Sequence, residues 1–423
     1  MRRHHLSIAM IAATMTVGAT TSHADFVKDS NVQLKFKNFY LDRQYDTTKN
    51  KNWGSWTQGI TLDAKSGYHE IGSVKVGIDL LAQHAFLLHG RDQNPDWVVP
   101  HDGTGQKDNF GKVGATLKLK VSETELRVGE ILPFTPIVTF DPSRQLLTTY
   151  QGVWLESKDI DKTKITLGYL DGINARYENQ VHDFNLWPLP LDTELSQKNK
   201  GMYVAGVDYQ VTPELGMSYF YGDITNIYRQ NYVGFSYNKK LDEHNKIATH
   251  ARYFDNRESG DAIYGDIDSQ ALSLRAAWTH DNHTIDAGWQ QMFGEHGNNA
   301  AFFPSLSGWV PQPFLVNWSV ASFIRKDEKS WSLGYTYDFK DIGVPGLTTT
   351  LRHYDGWNID NGAGKKRGKE DENNVIVNYV VPEGKLKGLG VQYMYIDVNY
   401  HDVPNFPSDL EEHRAAVTYS YKF

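Results

Sequence analysis

Arginine carries a planar, permanently charged fork that fits a carboxylate, and here arginines recur inside stretches that alternate polar and apolar residues. Arg127 lies in "TELRVGE", Arg252 in "IATHARYF", Arg275 in "ALSLRAAW", Arg352 in "TTTLRHYD" and Arg414 in "EEHRAAVTYSYKF". Lys35 and Lys37 share one face of "VQLKFKNFYL" (32–41). Two further arginines fall in longer interruptions. Arg144 follows Asp141 in the proline- and aromatic-rich "ILPFTPIVTFDPSRQLLTTY" (131–150), and Arg325 closes the stretch 294–325. A series of such forks along one wall exchanges a carboxylate's water contacts stepwise. Asp141 either faces Arg127 and sets up a transverse field, or caps the turn at Pro142. Each arginine alone also fits a second role, pairing with a neighbouring acid to hold a wall together.

Other chemistries find little support. The chain has no cysteine, which removes thiol catalysis, disulfides and thiolate metal sites. His280 and His283 flank a turn, there is no HExxH helix, and no GxSxG elbow occurs. In "GAGKKRGK" (362–369) the spacing between glycines is one residue too long for a phosphate-binding loop, and acids follow where Ser or Thr should hold magnesium. We expect no catalysis, no metal and no cofactor.

The elements that carry the arginines read as strands. Segments of about ten residues repeat with period two, among them "SVKVGIDLLA" (73–82), "KVGATLKLKV" (112–121), "YVGFSYN" (232–238) and "SWSLGYTYDF" (330–339). About 18 such segments fit the even strand number of a bacterial outer-membrane barrel. Brief breaks such as 211–214, 241–245, 280–282 and 340–345 interleave with long ones at 86–108, 171–200, 294–325 and 355–371, the rhythm of tight turns on one side of a membrane and free loops on the other. The fold expected is all-β, a transmembrane antiparallel up-and-down β-barrel with inward-folded constriction loops. The greasy face of each strand meets outer-membrane lipid. A mid-membrane arginine in hydrocarbon costs about 2–4 kcal/mol, so the arginine face meets water inside. In 246–254, with Ala248 taken as lipid-facing, Arg252 and His250 are assigned to the interior.

Residues 1–24 have the charged start, the apolar centre "LSIAMIAATMTVGA" and the Ser22-His23-Ala24 site of a cleaved export signal, leaving 25–423 as one barrel domain. Without Arg2 and Arg3 the balance is 41 basic to 51 acidic groups, net -10, which argues against nucleic acid as a partner.

Longer stretches resemble a known family. "FVKDSNVQLKFKNFYLDR", "SETELRVGEILPFTPIV", "ARYFDNRESG" (251–260), "SFIRKDEKSWSLGYTYDF", "DIGVPGLTTTLRHYDGWNID" and "EDENNVIVNYVVPEGKLKGLG" are similar to the OprD-type outer-membrane carboxylate channels. The resemblance implies an 18-stranded channel, monomeric or weakly trimeric, narrowed by loops three and seven and lined by basic residues. Its solutes would be small carboxylates such as amino acids, organic acids and carbapenem-type antibiotics. On this pattern the basic path comprises Lys37, Arg127, Arg144, Arg252, Arg275, Arg325, Arg352 and Arg414. The terminal "AAVTYSYKF", ending at Phe423, resembles the segment that the barrel-assembly machinery recognises. One stretch departs from the family: "GVQYMYIDVNY" (390–400) carries Asp397 and no basic residue, so the basic ladder is shorter or displaced there. Two other roles stay open: a barrel hydrolase, which a serine-directed label would reveal, and an adhesin or receptor, which loop deletions would reveal.

Overall fold

The computed structural model describes residues 26, 28–47, 50–91, 95–297, 302–308, 310–403 and 408–423. The expected export signal at 1–24 lies outside the described residues.

Alternating stretches become strands because period two sorts side chains between two faces. In chain order they are β1 (Asn31–Tyr45), β2 (Trp53–Lys65), β3 (His69–Ile71), β4 (Val74–Gly90), β5 (Asn109–Val121), β6 (Thr124–Ile131), β7 (Thr149–Ser157), β8 (Thr163–Asn174) and β9 (Met202–Gln210). The second half comprises β10 (Leu215–Ile224), β11 (Tyr228–Lys240), β12 (Asn245–Glu258), β13 (Asp268–His280), β14 (His283–His296), β15 (Lys329–Asp338), β16 (Leu347–Ile359), β17 (Gly368–Val380), β18 (Gly390–His401) and β19 (Leu410–Lys422). The three-residue β3 is a side arm that pairs only with β4. Each of the other eighteen is antiparallel to its neighbours, and β1 bonds both β2 and β19, so the sheet closes on itself. Closure leaves no edge, which hydrocarbon demands. Eighteen strands also leave room for an aqueous interior.

The outward face is apolar and bare. Val113 is 71% exposed and Phe423 71%, alongside Leu117, Val417, Tyr393 and Tyr421. In water this belt would be costly; against lipid it is the stabilising surface. The last strand behaves as its alternation predicts, with Val417 and Tyr421 outside and Arg414 inside. Ala248 is a correction: it shares parity with Arg252 and faces inward, while Ile247, Thr249, Ala251 and Tyr253 form the outer face of β12. The strands also run further than the segments suggested. β4 reaches Gly90 and β8 reaches Asn174, because ladder pairing continues beyond the lipid belt.

Short turns gather at one rim, as at 122–123, 211–214, 241–244 and 281–282, and the long connections gather at the other. The third loop (132–148) folds into the bore, where Ile137, Val138, Leu146, Asp141 and Arg144 are buried. The seventh (297–328) joins it: Gln312 donates to the Pro136 carbonyl at 2.9 Å and Phe314 packs on Phe134 at 5.5 Å. Phe302, Phe303, Leu306 and Leu315 make this inner plug of loops the main apolar core of the molecule.

Candidate functional site

The site starts on β1, whose alternation puts Lys35, Lys37, Phe39, Leu41 and Arg43 on the inner face. Lys37 reaches the third loop and donates to the carbonyls of Pro142 and Arg144, and Gln145 of that loop donates back to the Lys37 carbonyl at 3.0 Å. These contacts hold Arg144 against the wall where β1 meets β19. Next to it, the inward positions of β19 carry Glu412 and Arg414. Glu412 is fully buried, accepts from Arg414, and also pairs with Arg43.

The fourth loop supplies another guanidinium. Arg176 pairs with Asp141, donates to Ser143 Oγ at 3.1 Å and to the Trp97 carbonyl at 3.2 Å, and so ties loops two, three and four together. Burial would raise the Asp141 carboxyl, but Arg176, the Ser143 hydroxyl and N–H, and Arg144 outweigh it and hold it below the ordinary aspartate value. Asp141 therefore takes Arg176 as its partner in place of Arg127, and it also caps its turn by accepting from the Ser143 N–H at 2.7 Å.

Arg43, Arg144, Arg176 and Arg414 open onto one cavity of about 600 Å³ on the loop side of the third loop. Trp53, Trp97, Trp187, Trp318, Tyr45, Tyr400, Met394 and Val320 supply much of the remaining lining, and among the described residues no aspartate or glutamate lines it. Three of the tryptophans form an edge-to-face chain, Trp53 to Trp97 at 5.5 Å and Trp97 to Trp187 at 5.8 Å, and the Arg43 guanidinium lies 4.3 Å from the Trp53 ring. Among these four guanidinium groups, Arg43 and Arg414 share Glu412 and Arg176 holds Asp141, while the buried Asp96 and Glu372 also act on Arg144 and Arg414. Arg144 differs from the other three. It is 4% exposed, its Nε finds no acceptor, and among the described residues it forms no ion pair.

The other predicted positions are deployed differently. Arg127 lies on the turn side of the third loop, paired with Glu125 and Glu156, beside a smaller cavity of about 320 Å³ that Asp63, Asp79 and Glu130 also line. Arg275 and Arg352 share Asp286, at 3.2 and 2.7 Å. Arg252 donates to the Phe314 carbonyl at 2.9 Å and sits over that ring. Arg325 is buried against Glu370 at 2.9 Å, away from both cavities. The structure thus brings Arg144 and Arg414 together with two arginines the sequence reading did not single out. Arg43 was legible, since it continues the Lys35 and Lys37 phase of β1; Arg176 has no local signal. The departure at β18 resolves in the same way. Its inner face offers Met394 and Tyr400 to the cavity, Asp397 faces outward, and Met394 is the cross-strand partner of Arg414. The neighbouring strand supplies the cation.

Comparison with known proteins agrees with the barrel fold. Residues 24–423 match the family described as outer membrane porin, OprD family. Porin D of Pseudomonas aeruginosa is 26% identical over 385 residues, covering 86% of this chain and 84% of that protein. A porin-like protein, GalP, of Pseudomonas putida is 27% identical over 382 residues, covering 87% and 86%. Among solved structures, OccAB4 of Acinetobacter baumannii superposes with a TM-score of 0.85 at 31% identity, over 93% of this chain and 98% of that one. Pseudomonas aeruginosa OpdK, solved with vanillate, superposes with a TM-score of 0.85 at 28% identity, over 94% and 100%.

Proposed function

The chain belongs to the OprD family of outer-membrane porins, a channel rather than an enzyme, and from that premise we propose that it admits small carboxylates with an apolar or aromatic body. The observation that carries this reading is the vestibule: four arginines walled by tryptophans, with no carboxylate in the lining among the described residues. A carboxylate leaving water exchanges its hydrogen bonds for charge-assisted ones to Arg144 and Arg414. Its ring or chain meets Trp53, Trp97 and Trp187 while this happens. Vanillate, present in the OpdK structure, is an acid of that kind.

Amino acids and amine-bearing carbapenem-type antibiotics share the carboxylate but bring a cation that finds no acid among the described residues of this lining. They rank below simple aromatic acids as solutes. Beyond the third loop the solute passes Arg252, Arg275 and Arg352 on one wall, each partly committed to structure, and the mixed charges around Arg127 on the other. In this reading the channel is a monomer or weak trimer.

Liposome swelling with purified protein tests the reading. Benzoate-type acids should enter faster than an aminated acid of equal size and faster than the neutral amide. Equal rates for all three would contradict it.

A further inference from the structure

We infer that Glu370, Glu372 and Asn374 of β17 are positioning residues that set the width and selectivity of the vestibule, although none of them lines it. Alternation puts all three on the inner face, and all are buried, at 1%, 0% and 4% exposure. Opposite them runs the seventh-loop strap 319–325. Glu370 accepts from the Phe323 N–H at 3.0 Å, Glu372 accepts from the Ala321 N–H at 2.7 Å, and Asn374 donates to Ser319 Oγ at 3.2 Å.

Every second residue of the strand therefore holds every second residue of the strap, in antiparallel order. The two carboxylates do what a neighbouring strand's carbonyls would do, satisfying N–H groups that would otherwise be buried without partners, and Asn374 adds a bond to the strap's hydroxyl. Arg325 locks the far end, its Nε on Glu370 at 2.9 Å and its N–H on Glu328 at 2.9 Å. Burial and the nearby Glu370 raise the Glu328 carboxyl well above its ordinary value.

A buried carboxylate facing a neutral N–H is an expensive way to fill space, and a well-packed apolar residue is often at least as stable. What the carboxylates add is a fixed strap position. That position matters because Trp318, Ser319 and Val320, immediately before and within the clipped stretch, form one wall of the vestibule.

The carboxylate reading above assigns what the vestibule binds; the clip decides how wide it stands, and it is measurable in plain potassium chloride. Single-channel recording of Glu372→Leu, Asn374→Ala and Glu372→Gln tests it. Glu372→Leu leaves the Ala321 N–H without an acceptor and should raise unitary conductance and open-channel noise severalfold, with heat-modifiable gel mobility unchanged. Asn374→Ala should do the same to a smaller degree. Glu372→Gln, which keeps an acceptor oxygen at the same reach, should restore wild-type behaviour. Wild-type conductance and noise in both Glu372→Leu and Asn374→Ala would overturn the inference. A shifted conductance with no carboxylate preference in the wild type would uphold the clip and reject the proposed solute.

Discussion

Two groups of inward arginines sit in the same barrel and do different things. In the vestibule Arg43 and Arg414 share Glu412, Arg176 holds Asp141 and Arg144 forms no ion pair among the described residues, whereas Arg127, Arg275, Arg325 and Arg352 each hold a carboxylate from a strand of the wall. The difference teaches that facing the lumen is not the same as serving the solute. A guanidinium matched by wall carboxylates, as Arg127 is by Glu125 and Glu156, is spoken for, and substituting it tests the wall. A guanidinium without an ion-pair partner, as Arg144 is among the described residues, is available to an anion.

Substitutions can break or sharpen that contrast. The largest effect on solute handling should come from Arg144→Ala. A hydrogen bond to a charged group contributes about 1.5–3 kcal/mol, so half-block of the current by benzoate should need about tenfold more acid or higher, with thermal stability unchanged. Asp286→Asn should act the other way round. It strands Arg275 and Arg352 and should lower unfolding stability in detergent by about 2–3 kcal/mol, less than for a fully enclosed pair because both arginines remain partly exposed. Anion selectivity should survive that change or rise.

Trp97→Ala should come next. Loss of both edge-to-face partners is worth about 0.5–1.5 kcal/mol, read as a smaller preference for benzoate over an aliphatic acid of the same charge in competitive block. Arg127→Gln should do least. Its ion pairs are partly solvated and worth about 1 kcal/mol or less, so block and reversal potential should match the wild type.

The fold was almost wholly legible in the sequence because membrane and water impose one rule on every strand. "KVGATLKLKV" and "AAVTYSYKF" each declare their two faces without help from the rest of the chain. The slip at Ala248 marks the limit of that rule, since a one-residue error in phase moves every side chain to the opposite face. The site was legible only in part. Alternation correctly sends Arg127, Arg275, Arg352 and Arg414 inward, but it says nothing of partners: Glu370 waits 45 residues after Arg325, and Arg176 comes 35 residues after Asp141. Those pairs depend on how loops three, four and seven pack inside the bore, and no short-range pattern encodes that packing. The tryptophans of the vestibule were hidden in the same way, since Trp97, Trp187 and Trp318 come from three separate loops.

The reversal potential across a planar bilayer under a sodium benzoate gradient, compared among wild type, Arg144→Ala and Arg127→Gln, tests the division between the two arginine groups most directly. The account predicts a benzoate-selective potential for wild type and Arg127→Gln and a collapsed one for Arg144→Ala. The same potential in all three proteins would contradict it.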